Sequence, residues 1–259
     1  MHELPLVFFT VLAQAAAGAY LILLLSQPFN GMNERKLSIG ILVSMVLLSV
    51  GMLVGMFHLG MPVRALNLLA GVGRSPMSNE ILLGGAFAGL GILVGLAGFY
   101  DKGTPGQRKA LRWATAIFAI AFVATIPKVY QLSTVAAWDT SHTTIQMLTS
   151  AFVTGGALAA VLGAFRHGVA VSIAAVFVTL ALRFDYITFV TGVEPTLAAE
   201  QSSLWVLQAI ALLIGGAVAL FALLKQKSAQ PILLSVCGLV MIGELIGRVS
   251  FYNLWSITM

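Results

Sequence analysis

Eight stretches of this chain are each apolar enough, over about 20 residues, to cross a lipid bilayer, and nothing else in the sequence constrains the fold as strongly. They fall at about 5–27, 38–59, 80–100, 110–131, 144–165, 168–190, 202–224 and 231–254. Hydrocarbon offers no partner to a backbone N–H or C=O, so a spanning segment must satisfy its own hydrogen bonds as a helix. The breaks carry turn chemistry: Pro28-Phe29-Asn30-Gly31, Gly103-Thr104-Pro105-Gly106, Arg166-His167-Gly168 and Lys225 through Pro231. No stretch is long enough for a soluble domain or linker, and no internal repeat is evident. Residues 1–259 therefore read as one transmembrane domain, an all-α bundle of eight helices. Only 9% of the residues are charged, where a soluble domain carries about 25%.

Charge placement orients the bundle. With the N-terminus outside, the inner loops hold Arg35, Lys36, Lys102, Arg108, Lys109, Arg112, Arg166, Lys225 and Lys227, nine of the 14 Lys and Arg residues. The positive-inside rule then predicts both termini on the periplasmic side of a bacterial inner membrane. These nine read as a topology signal. The pI of about 9.6 has the same origin; no basic run with interleaved aromatics points to nucleic acid. The opening Met1-His2-Glu3 lacks the positive start of a signal peptide, so the first apolar run is expected to be a retained helix.

The outer side is different. In the fourth, sixth and eighth spans a run of 15 or 16 residues free of Asp, Glu, Lys and Arg leads up to a charge: Lys128, Arg183 with Asp185, and Glu244 with Arg248. His58 closes the second span at that face and Glu80 opens the third. Seven acidic residues lie outside and two, Glu34 and Asp101, inside. A charge in lipid costs at least ~2.5 kcal/mol on insertion scales, so embedded charges pair and face the bundle interior.

Glu244 and Arg248, four apart with Glu first, have the favourable order for an ion pair along one helix. Two readings stand: a structural lock on the last helix, or a functional pair with room beside it, because "GELIGR" sets glycines next to both charges. Arg183 and Asp185, two apart, need not pair. An imidazole takes and releases protons near neutrality, which makes His58 a candidate base. A haem between helices would need a second histidine at similar depth, and His2, His142 and His167 read as loop or terminal residues. A lone cysteine, Cys237, in an apolar run reads as a small buried hydrophobe and cannot hold an iron–sulfur cluster.

Four stretches, "MHELPLVFFTVLAQAAAGAYL", "HLGMPVRALNLL", "GRSPMSNEI" and "GELIGRVSFY", resemble the membrane-anchor subunit of bacterial dimethyl sulfoxide reductase, the DmsC-like family, and the likeness spans the whole sequence. It implies a menaquinol-oxidising anchor that holds a molybdopterin catalytic subunit and a ferredoxin-like iron–sulfur subunit on the membrane, with no haem and no cluster of its own. The family's quinol positions correspond here to His58, Arg64 and Glu80; Glu244 and Arg248 are added as quinol-binding on the strength of their embedded charge. His58 or Glu80 is the expected proton acceptor, and Arg64 the group that stabilises negative charge on the quinol oxygen. Residues 60–79, with Arg64 and Arg74, form the expected docking surface for the partner that takes the electrons. No metal ligands are expected.

Two other classes compete. A secondary transporter binds at the midplane between repeats, whereas these charges gather toward one face. A related anchor of the polysulfide or nitrite reductase type would reduce quinone instead.

Overall fold

The computed structural model describes residues 3–58, 67, 68 and 70–255; Arg64 and most of the "HLGMPVRALNLL" stretch lie outside the described residues. All regular structure there is helical: α1 (Leu4–Asn30), α2 (Glu34–Met56), α3 (Pro76–Phe99), α4 (Pro105–Tyr130), α5 (Ser141–Val161), α6 (Phe165–Ala181), α7 (Arg183–Val193), α8 (Pro195–Leu224) and α9 (Gln230–Tyr252). The α6 and α7 segments make one continuous span, interrupted only at Leu182, so eight spans result. The protein is a multi-pass membrane protein. An even number of spans brings both ends to one face of the bundle, called here the terminal face.

Most helices begin earlier than apolarity alone predicts, and the reason is capping. The Asn33 side chain accepts the Lys36 N–H at 2.8 Å and starts α2 at Glu34 rather than near 38. Ser75 caps α3 with Pro76 in its first turn, so Glu80 sits in the second turn of a helix instead of at its opening. Thr104 and Gln107 close a reciprocal capping box that starts α4 at Pro105 rather than near 110. Likewise α1 runs through Pro28 and stops only where Gly31 adopts φ 60°, a left-handed conformation that glycine accepts without steric cost. His142 and His167, expected in loops, lie in the first turns of α5 and α6.

Helix α1 is the axis of the bundle. Its middle, Ala13 through Leu24, is almost wholly buried, and it packs against α2, α5, α4 and α9. Small residues make the closest crossing possible: a Cβ on Gly155 of α5 would stand 2.6 Å from the Cα of Gly18. In a membrane, where burial from water drives nothing, such backbone proximity is a main source of helix–helix attraction.

At the face opposite the termini, Arg108 and Arg112 are buried, 8% and 3% exposed, and both guanidinium groups meet Glu34 Oε1. Arg108 also reaches Asp101 at 2.8 Å. These two arginines tie α2 to α4, so the expectation that all inner basic residues are loop charges fails for them.

Candidate functional site

One stripe of α1 organises the polar groups of the terminal face. Glu3, Val7, Thr10 and Gln14 recur at helical spacing, so they share a face. At the top, Glu3 Oε2 lies 3.7 Å from His58 Nε2, two residues beyond the end of α2. One level down, Thr10 faces Tyr252. Deepest, the Gln14 oxygen accepts from Arg248 Nη2 at 2.8 Å. From Glu3 to Gln14 the helix descends roughly 16 Å at 1.5 Å per residue.

The middle level is an aromatic cluster. The Tyr252 hydroxyl donates to the Tyr130 hydroxyl at 2.7 Å. Trp138 stacks on Phe251 at 5.0 Å and gives its indole N–H to the Phe251 carbonyl at 2.8 Å, which fixes both rings. Against this cluster α3 places Glu80. Its side chain is 4% exposed and within electrostatic reach of both Tyr130 and Tyr252. Among the described residues its Oε1 has no hydrogen-bond partner. A buried carboxylate oxygen without a donor is costly, and such groups point to function.

Arg248 is the link between levels. It is 4% exposed, donates to Gln14 and to the Met147 sulfur, and is felt electrostatically by Tyr130, Tyr186 and Tyr252. The expected ion pair with Glu244 does not close. Although four residues apart on α9 and within electrostatic reach of each other, the two make no ion pair: Arg248 hydrogen-bonds to α1 and α5, while Glu244 faces the crevice with its Oε1 unpartnered among the described residues. The glycines of "GELIGR" also admit a neighbouring helix, and Gly247 lines the crevice beyond Arg248. A Cβ on Gly243 would meet Leu212 of α8 at 2.9 Å, and one on Gly247 would collide with Gln208. What approaches α9 at these two positions is α8.

Beyond Arg248 lies a narrow polar crevice, with room for about one water molecule. Gln146, Thr179, Arg183, Gln208, Glu244 and Arg248 contribute its polar wall. Arg183 donates to the Gln208 oxygen at 2.6 Å and sits 5.4 Å from the centre of the Tyr186 ring. Asp185 pairs not with Arg183 but with His142, at 3.4 Å.

The structure thus groups Glu80, Arg248 and Glu244 around the aromatic cluster and the crevice, and sets His58 at the rim beside Glu3. Arg74 is exposed, donating to the Ala70 carbonyl at 3.2 Å. Lys128, one of the span-interrupting charges, is exposed on α4 and joins no ion pair among the described residues. Sequence reading missed Gln14, Tyr130, Gln146, Gln208 and Tyr252. The available signal was an amide in an apolar run: Gln14 within "VLAQAAAG" and Gln208 within "WVLQAIAL".

An eight-span bundle with charges buried near both of its faces defines an integral membrane protein. Residues 1–254 match the model of the family described as DMSO reductase anchor subunit (DmsC), and the protein belongs to that family. It is 30% identical to the YnfH subunit of an anaerobic dimethyl sulfoxide reductase of Escherichia coli (strain K12), over 98% of its own length and 95% of that protein. It is 32% identical to the C subunit of anaerobic dimethyl sulfoxide reductase from the same organism, again over 98% and 95%. The C subunit of the Haemophilus influenzae reductase is 36% identical over 55% of the present sequence and 52% of its own. The relatives are components of a multi-subunit reductase, and the role of membrane anchor fits this protein.

Proposed function

We propose that this protein oxidises menaquinol for a molybdopterin reductase complex of the inner membrane and passes the electrons to an iron–sulfur subunit docked on the terminal face. The observation that carries the reading is Glu80: a buried carboxylate, without a donor among the described residues, set against the Tyr130–Tyr252 pair with Arg248 beyond it. A quinol releases two protons and two electrons. Its ring needs an apolar, aromatic wall, a base at a hydroxyl and a cation where negative charge develops. Tyr130, Trp138, Phe251 and Tyr252 supply the wall. Glu80 accepts the proton of one hydroxyl; the His58–Glu3 pair at the rim returns it to water. Arg248, and Arg64 from the connector, stabilise the oxygen that the proton leaves, and Glu244 marks the deep end of the site. Arg64 and Arg74 belong to the segment that meets the partner.

The test uses the purified complex. A soluble menaquinol analogue should drive reduction of the terminal acceptor. Glu80→Gln should lower that rate about 100-fold or more, the usual weight of a general base. A reduced dye feeding the iron–sulfur subunit directly should still work. Quinol-driven turnover at the wild-type rate in Glu80→Gln would remove Glu80 from this role.

A further inference from the structure

The crevice between α5, α6–α7, α8 and α9 has a polar lining that the quinol-ring site does not explain. Buried polar atoms in and beside it lack partners among the described residues: Gln146 Nε2, Ser150 Oγ, Thr179 Oγ1, Arg183 Nη1, Glu244 Oε1 and Arg248 Nε. One orphan is tolerable; so many around one space call for a polar occupant. The space admits water but little more. A second small cavity adjoins it, sharing Gln146, Thr179 and Arg183 in its lining, and that cavity reaches His142. The interruption at Leu182 falls beside it, and inserted water is one recognised cause of such a break.

Helix α5 supplies a ladder along this route. His142, Gln146 and Ser150 stand one above another at four-residue intervals. Each step is roughly 6 Å of helix, about the span that one water bridges with two hydrogen bonds. Ser150 faces Glu244 without closing a hydrogen bond to it. Gln146 faces Tyr186 in the same open manner. At the upper end His142 pairs with Asp185, whose side chain is 72% exposed.

We infer that ordered waters in these two adjoining cavities, about one in each, carry a proton from Glu244 to the His142–Asp185 pair at the terminal face. The inference rests on the quinol reading for the source of the proton. A quinol has two hydroxyls at opposite ends of its ring, so a base at one end leaves the other proton unserved. Glu80 takes the first. The second passes to the Glu244 carboxylate, then through water to the His142 imidazole, and from there to Asp185 and bulk water; the electron pair leaves separately to the iron–sulfur partner. Two guanidinium groups line the space, so a free hydronium ion is disfavoured by like charge. The proton must therefore ride on a carboxyl and an imidazole. The formal charges of Arg183 and Arg248 are matched by those of Glu244 and Asp185.

Two measurements test this on the intact complex. Radiolytic hydroxyl-radical footprinting of the wild type reads water directly: Tyr186 and Phe251, 2% and 3% exposed, line the two cavities and should be oxidised despite their burial. Absence of label on both overturns the ordered waters whether or not quinol is the substrate. The kinetic arm compares the wild type with Glu244→Gln and with the double variant Gln146→Leu/Thr179→Val. Quinol-driven turnover should fall on the order of 100-fold in each, with dye-driven turnover retained in both and affinity for a quinone-analogue inhibitor retained in the double variant. A wild-type quinol rate in the double variant overturns the path, and so does inhibitor affinity lost in step with rate in that variant. Should Glu244→Gln fail to assemble, shown by loss of the dye-driven rate, the double variant decides. A wild-type complex that does not oxidise quinol at all defeats the quinol reading instead.

Discussion

Arg248 donates a 2.8 Å hydrogen bond to Gln14 and so joins the last transmembrane helix to the first, in place of the ion pair with Glu244 that its own helix offers. The physical reason is geometric. The α9 helix is wedged between α8 and α1, and Gly243 and Gly247 let α8 press close on the Glu244 side. A neutral amide on the buried face of α1 then becomes the acceptor for a full charge.

Removing that acceptor should be expensive. In Gln14→Leu the Arg248 guanidinium loses this oxygen partner inside the bundle, and a hydrogen bond to a charged group is worth about 1.5–3 kcal/mol. We expect a lower unfolding temperature in detergent and less assembled protein. Gln14→Glu, which keeps an oxygen and adds a counter-charge, should do better than Gln14→Leu. Equal stability of the two variants would show that the bond is idle.

Arg248 itself should not be replaceable by lysine. The guanidinium addresses Gln14 and Met147 with different nitrogens, and an ammonium lacks that fork. Arg248→Ala should reduce folded protein, and Arg248→Lys should restore yield without restoring quinol-driven turnover. The check is yield by quantitative blotting set beside quinol-driven and dye-driven rates.

The α1–α5 seam should tolerate no side chain. A Cβ at Gly18 collides with the Ala151 carbonyl, while nothing lies within 4 Å of a Cβ at Gly89. Gly18→Val should abolish accumulation of the protein, because backbone rather than a flexible side chain must give way. Gly89→Ala should be neutral in the same accumulation assay.

Topology is a separate test. Reporter fusions at residue 105 should report the cytoplasm and fusions at residue 140 the periplasm, as the distribution of Lys and Arg predicts. The reverse pattern would move the terminal face, and the proposed site with it, to the cytoplasmic side.

The rim histidine makes a kinetic prediction. If the His58–Glu3 pair carries the first proton to water, His58→Ala should assemble, keep dye-driven turnover and lose quinol-driven turnover by about 100-fold. Glu3→Gln, which keeps the imidazole but removes its carboxylate at 3.7 Å, should cause a smaller loss. A wild-type quinol rate in His58→Ala would assign proton exit entirely to other groups.

Eight spans, their order and the embedded charges near the terminal face were legible in the sequence, because each follows from one-dimensional facts; the buried Arg108 and Arg112 at the other face were not. A bilayer sets a length, apolarity marks it, and an embedded charge stands out against a background that is 59% hydrophobic. Glu80, Glu244 and Arg248 were visible on that ground alone. Helix starts were less legible, since Asn33, Ser75 and Thr104 cap through local hydrogen bonds that hydropathy does not register. Tertiary packing alone decided who meets whom. Nothing local tells Arg248 to prefer Gln14 to Glu244, sets Tyr130 against Tyr252, or aligns His142, Gln146 and Ser150 with Glu244. A polar group in lipid takes the partner that neighbouring helices bring within reach, and that choice is fixed by where Gly18 and Gly155 let backbones touch and where Gly243 and Gly247 admit side chains of α8.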